Sequence, residues 1–329
     1  MATTETKILD EMIVASRRRM MTMGGTALAG LLLGGATQKV EAQSTALTDA
    51  DYLNFALNLE YLEAQYYTLA DSGQTIDMLG IGIGGGSSVK GTSTVTVKPS
   101  GVASCQVPFT NPAIAAYASE IATEERKHVT FLRGALGSAA VAMPDLDLYN
   151  SFNAAAAAAG IGSSFDPFAT ELNFLLGSYI FEDVGVSAYH GAAGLLTSTA
   201  DLIPAVGIHA VEAYHAGLIR TVLWGLDQGN PAVGIAGITV KISNLRATLD
   251  GTATATAPAV AVPDDIGLMT ELVSLNTATA SFTASTIVNA DSNTIGWSRT
   301  PQQVLNIVYA SPTGVKGGFY PNGLNGNIS

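Results

Sequence analysis

A glutamate stands three residues before a histidine twice in this chain, at Glu125–His128 and again at Glu212–His215. On a helix that spacing puts both side chains on one face, where a carboxylate and an imidazole can hold one metal ion. An arginine follows each histidine by five residues, Arg133 and Arg220, and an isoleucine precedes each glutamate by four, Ile121 and Ile208. Two copies of one ligand spacing within matching flanks read as a tandem duplication.

Each copy has a companion upstream. Glu60 lies in LNFALNLEYLEAQYY and Glu182 in FLLGSYIFEDVGVSAY, and each is followed seven residues later by a tyrosine, Tyr67 and Tyr189. The order E…ExxH…E…ExxH is the ligand set of the carboxylate-bridged di-iron and di-manganese four-helix bundles, which take one Glu from each of two helices and Glu-x-x-His from each of two others. The candidate ligands are therefore Glu60, Glu125, His128, Glu182, Glu212 and His215. Oxygen-rich ligation with some nitrogen suits iron or manganese. Four glutamate charges balance two divalent ions, which bridging carboxylates hold ~3.5–4 Å apart for chemistry on oxygen species or water.

The bland reading of Glu125 and His128 is a solvated face, because Glu124-Glu125-Arg126-Lys127 is a run of charge. It fails for Glu212 and His215, which sit in an apolar helix, and the repeat carries the first copy with the second. Glu60 is preferred to its neighbour Glu63, and Glu182 to Asp183, by the matching tyrosine spacing. Tyr67 and Tyr189 read first as packed phenols and second as partners of ligand carboxylates. His209, one turn before Glu212, is within reach of the site but reads more readily as a core residue. Arg133 and Arg220 are expected to pair with carboxylates near the bundle ends.

With 47% hydrophobic and 13% charged residues among 329, the chain can bury a sizeable core. A net charge of -12 argues against nucleic acid and anionic membranes as partners. Cys105 is the single cysteine, which excludes an intramolecular disulfide, an iron–sulfur cluster and a Cys-rich zinc site.

The opening segment reads as an address. Ser16-Arg17-Arg18-Arg19 precedes the short apolar run TMGGTALAGLLLGGAT and then Val40-Glu41-Ala42. Paired arginines, a brief Gly/Ala/Leu stretch and a small-residue cleavage site predict twin-arginine export, with cleavage after Ala42 and no stable membrane insertion afterwards. The destination is the periplasm or the medium. Residues 43–227 are expected to form the bundle and 228–329 a loop-rich extension packed on it.

Helix one is predicted from the Thr48 cap to about Ala70. Residues 72–110 form an insertion whose segment 94–98 alternates like a strand, as a hairpin or a loop. Asn111-Pro112 opens helix two, which stops near Gly137. The connector 138–165 holds one short helix at its alanine run, and Asp166-Pro167 opens helix three, which runs to about Leu196. Helix four begins at Asp201, with Pro204 in its first turn. Two short helices are expected in the extension, near 264–275 and at 301–309.

The segments LNFALNLEYLEAQYY, EERKHVTFLRGALG, FEDVGVSAYHGAA and AVEAYHAGLIRTVL resemble the exported ferritin-like domain family, which includes bacterial twin-arginine-signal proteins and plant desiccation-related proteins. The ending RTPQQVLNIVY…GGFYPNGLNGNI is similar to that family's C-terminal signature. The resemblance covers nearly all of the chain after residue 42. It implies an all-α, ferritin-like four-helix bundle whose metal positions fall on Glu60, Glu125, His128, Glu182, Glu212 and His215. The expected function is oxidoreductase chemistry on dioxygen or peroxide in stress protection, at two iron or manganese ions. A non-catalytic structural or stress-binding role is the alternative, and iron storage a weaker one. The expected partners are dioxygen or peroxide and, as an assembly, a homo-oligomer.

Overall fold

Four long helices carry the candidate ligands, and the first two start at the caps expected from the sequence. The computed structural model describes residues 46–252, 265–268, 270–274, 281–285, 287–291 and 293–329. The export segment at 1–42 lies outside the described residues. Helix α1, Asp49–Ser72, opens with a reciprocal capping box between Thr48 and Asp51. It ends at Gly73, whose φ of 65° needs a residue without a Cβ. Helix α2, Pro112–Leu136, is capped by the Asn111 side chain, which accepts from Ala113 N at 2.9 Å. The short α3, Asn150–Ala158, occupies the connector. Helix α4, Glu171–Ala193, is capped by Thr170, and α5, Thr199–Gly229, by Ser198.

Helix α1 packs along α2 and α4 along α5, and the two pairs meet through α1 and α4. Their shared interior is rich in aromatics: Tyr66 stacks on Phe174 at 5.8 Å and meets Phe181 edge-on at 5.2 Å. The result is the expected all-α four-helix bundle.

The differences from expectation have local causes. Helix α4 begins at Glu171 because Asp166 turns its Oδ1 to Phe168 N at 2.9 Å and closes a turn instead of a helix. Helix α5 begins two residues earlier than predicted, so Pro204 falls beyond the first turn. The strand-like stretch in the insertion forms no hairpin. Its β1, Val95–Thr96, pairs in parallel with β2, Leu146–Asp147, from the connector. Among the described residues Arg133 meets no carboxylate; it donates to the carbonyls of Gly84, Gly86 and Ser88 at 2.7–2.9 Å and so clasps the insertion to α2.

The extension holds more structure than its composition suggests. Helix α6, Ile235–Leu249, was not expected. The predicted helix near 264–275 is instead half of an antiparallel hairpin, β3 Thr270–Ser274 with β4 Ser281–Ser285. Helix α7, Pro301–Val308, has the predicted capping box between Thr300 and Gln303. The end of the chain returns to α1, where Tyr320 donates to the Asn58 carbonyl at 2.9 Å and Asn325 N to the Asn58 side chain at 3.1 Å.

A buried network of arginine and aspartate fastens this extension to the bundle. Arg220 of α5 and Arg246 of α6 both reach Asp183 of α4, at 2.8 and 3.0 Å. Asp265 accepts from Arg246 at 2.6 Å and from Arg299 at 2.9 Å, and Arg299 also meets Asp250 at 2.9 Å. Arg220 thus pairs with a carboxylate as expected, but deep in the protein.

Candidate metal centre

The interior of the bundle gathers the six candidate ligands into two overlapping groups. Glu60, Glu125, His128 and Glu212 form one, and Glu125, Glu182 and His215 the other; within each group the ligand atoms all lie within 4.8 Å of one another. Glu125 belongs to both, which is the position of a bridge between two ions. His128 Nδ1 lies 3.2 Å from Glu60, 3.5 Å from Glu125 and 3.6 Å from Glu212. His215 Nδ1 lies 3.1 Å from Glu125 and 3.4 Å from Glu182. Both imidazoles therefore turn the same nitrogen inward, as a duplicated unit requires.

Buried polar groups ordinarily have partners, and here they do not. Both oxygens of Glu125, both of Glu212, one of Glu182 and the Nδ1 of His215 are buried without a hydrogen bond. Orphaned carboxylates this deep are expensive unless a cation neutralises them. Hard oxygen donors with two imidazole nitrogens suit a metal cation, so the donor set and its unmet valence agree.

The tyrosines take the second of their two expected roles, and they do so crosswise. Tyr67 donates to Glu182, and Tyr189 donates to Glu60. Each phenol serves the glutamate of the opposite helix, as antiparallel α1 and α4 require. Burial, with the adjacent carboxylate charge, pushes both phenols well above their ordinary range, so they remain donors.

Without a cation the electrostatics record the strain of the arrangement. Burial raises Glu60 to about 7, against the pull of His128. Burial and the neighbouring glutamates raise Glu212 well above the carboxylate range, and burial raises Glu182. Glu125 goes the other way: burial would raise it, but the close imidazoles of His128 and His215 hold it below the ordinary range. Burial would lower both histidines, yet the carboxylates around them raise His128 to about 11 and His215 to about 12. A bound cation would compete with these protons for the same donor atoms.

A family model described as a ferritin-like domain matches residues 48–224, which span all four ligand helices. The chain belongs to the ferritin-like domain family. Among curated ferritin-like relatives, the chain is 27% identical over 289 residues to the ferritin-like catalase Nec2 of Nesocodon mauritianus, covering 85% of each chain. It is 29% identical over 265 residues to the desiccation-related protein PCC13-62 of Craterostigma plantagineum, covering 78% of this chain and 76% of that one. No solved structure matches the chain significantly.

Other expected residues of this ferritin-like site fall outside the two groups. Glu63 is buried beside the cluster, and burial with the surrounding carboxylates raises it well above the ordinary range. His209 lies beside His190, ring centroids 5.8 Å apart, in a cavity of 290 Å³ that Trp297 also lines and whose lining contains none of the six ligands.

Two residues escaped the sequence reading. Glu124 accepts from His215 Nε2 at 2.8 Å, bracing the imidazole from outside; within a run of charge nothing marked it. Gly185 faces Glu212 and Glu63, and a methyl there would collide with the Glu212 carboxylate. A glycine inside an apolar helix, three residues after Glu182, was the available signal.

Proposed function

We propose that this chain holds two iron or manganese ions between its Glu and His ligands and uses them to dismutate hydrogen peroxide. The observation that carries the reading is the sharing of buried, unpartnered Glu125 by two ligand groups, each complete enough to hold an ion. The similarity to a ferritin-like catalase supports peroxide over other oxygen species. In the overall reaction one peroxide loses two electrons and two protons to become dioxygen, and a second takes them up to become two waters. A redox pair of ions supplies the reversible two-electron exchange when bound.

The protein's own groups do the rest. Glu60 and Glu182 are fixed by Tyr189 and Tyr67, so ligand geometry does not depend on the ions alone. A cleft of 190 Å³ reaches His128 from the surface between α2 and α5, lined by Phe131, Pro204, Gly207, Ile208 and Val211. Its carbon walls suit a small neutral molecule and exclude a hydrated anion.

The test is metal content and oxygen release from peroxide, for the wild type and for Glu125→Ala. About two ions per chain and oxygen evolution, both lost in the variant, are expected. A folded wild type that binds no iron or manganese would overturn the centre itself. Tight binding of two ions without turnover would instead favour a structural role, the reading suggested by the desiccation-related relative. Export is part of the proposal: Arg17→Lys with Arg18→Lys should retain the protein in the cytoplasm on cell fractionation.

A further inference from the structure

The chain has four histidines, and they stand as two pairs. His128 and His215, ring centroids 6.4 Å apart, belong to the Glu/His groups. His190 of α4 and His209 of α5 lie 5.8 Å apart, in the 290 Å³ cavity that none of the six ligands lines. Two imidazoles bound to one tetrahedral ion at about 2.0–2.1 Å put their centroids roughly 5–6 Å apart. The second pair has the spacing of two ligands on one ion.

The rings are prepared for that role. His190 Nδ1 donates to the Trp297 carbonyl at 3.0 Å, which fixes the tautomer and leaves Nε2 of the neutral ring as the lone-pair atom. A hydrogen bond from the far ring nitrogen to a backbone carbonyl is what ordinarily orients a metal-binding histidine. Among the described residues His209 has no hydrogen-bond partner on either nitrogen, and His190 has none on Nε2. Unlike the orphaned atoms of the Glu/His centre, none of these three is sealed from solvent, and both rings are half-buried. Burial, and then the proximity of His190, lower His209 below its ordinary range, so no proton competes for its lone pair at neutral pH. A water needs about 10–15 Å³ of such space, which leaves room here for an ion with waters of its own. Asp183 and Arg220 also line the cavity, but they pair with each other at 2.8 Å and leave the donor chemistry to the imidazoles. Nitrogen donors without thiolate favour the late first-row divalent ions, copper(II) foremost.

We propose that His190 and His209 form a second metal site, which holds one late first-row divalent ion of the copper(II) or zinc class between α4 and α5. The site does not rest on peroxide chemistry or on occupancy of the Glu/His centre. Copper(II) added to the tag-free full chain is the probe, read by pulsed EPR, which detects the remote nitrogen of a bound imidazole. His128→Gln with His215→Gln leaves His190 and His209 as the chain's only imidazoles. That variant, checked as folded by circular dichroism, should bind one copper ion coupled to two imidazoles. Adding His209→Gln should remove one coupling and weaken binding by at least about tenfold. In the otherwise wild-type chain, His209→Gln should lower bound copper by one ion per chain and leave iron or manganese content unchanged, a comparison that stands even where the double variant does not fold. No imidazole coupling in the folded double variant, or copper binding unchanged by His209→Gln, would overturn the proposal.

Discussion

Glu182 and Asp183 are neighbours on α4, and they belong to opposite kinds of buried charge. Glu182 turns into the Glu/His cluster, where carboxylate oxygens stand without partners. Asp183 turns into the network of Arg220, Arg246 and Arg299 with Asp183, Asp250 and Asp265, where, among the described residues, three positive charges meet three negative ones. Both regions are equally buried. The network pairs its fixed charges internally and holds the extension against the bundle. The cluster sets four glutamates against two imidazoles and is balanced only by protons or by an added cation. Burial of charge by itself therefore says little about function; unmet valence is the discriminating feature.

The same kind of substitution should consequently have opposite effects in the two regions. Asp265→Ala leaves Arg246 and Arg299 short of a counter-charge in a dry interior. A loss of about 3–5 kcal/mol is expected, the cost of breaking a buried pair from one side. Urea unfolding should show it equally with and without metal. In the metal-free protein, Glu212→Gln replaces a carboxyl that burial and its neighbours force to take up a proton on folding, and supplies an amide that can donate to orphaned oxygens. That variant should be more stable than wild type by about 1–3 kcal/mol, while losing metal. If it is less stable, the cluster is structurally satisfied and the contrast collapses.

The pH dependence sharpens the contrast. Glu60, raised from 4.5 to about 7, keeps its proton in the folded chain after the unfolded chain has lost it, so metal-free stability falls as pH rises through that window. His128 and His215, raised from 6.5 to about 11 and 12, contribute stability that is whole below 6.5 and is lost as pH rises through those folded values. Glu125, held low, loses its contribution only in acid. The metal-free unfolding midpoint should therefore drop between pH 5 and 8. Metal should reverse the trend, because ligands bind it in their deprotonated forms. A flat profile would mean that the groups titrate alike in both states.

How much of this was legible depended on whether the signal was local. The caps at Thr48, Asn111 and Thr300 and the Glu-x-x-His spacings are written within one or two turns, and they placed the ligand helices. Helix α6 was hidden because Ile238, Thr239, Val240 and Ile242 give it a β-branched run with poor helical propensity. Its helix is sustained by packing, with Ile242 and Arg246 buried against the rest of the fold. The arginine network was invisible for a stronger reason: its members come from α4, α5, α6 and two later segments, and no spacing relates them. Tyr67 and Tyr189 lay between these cases. Their repeat position was readable, but the exchange of partners between helices follows only from the antiparallel packing.

That exchange predicts paired effects. Tyr67→Phe should disturb the ion held with Glu182 and His215, and Tyr189→Phe the one held with Glu60 and His128. Each should weaken metal binding by about 10–100-fold, as loss of a group supporting a ligand usually does. Metal titration should resolve one altered site in each variant. Equal weakening of both sites in both variants would show that bridging through Glu125 couples them too tightly to separate.

The smallest effect tests where the duplication breaks. His215 is braced from outside by Glu124 at 2.8 Å, whereas the cleft lined by Phe131 and Gly207 lies against His128. Glu124 is a third exposed, at 35% of its side chain, so its interaction with His215 is screened by water. Glu124→Gln should change stability by less than about 1 kcal/mol. Its effect on metal should be confined to the His215 half, as a modest loss of affinity at that site with the other unchanged. Loss at both halves would make Glu124 part of the shared framework. No change at either would mean that Glu125 and Glu182 alone orient the His215 ring, and the two halves would then be chemically equivalent despite the cleft.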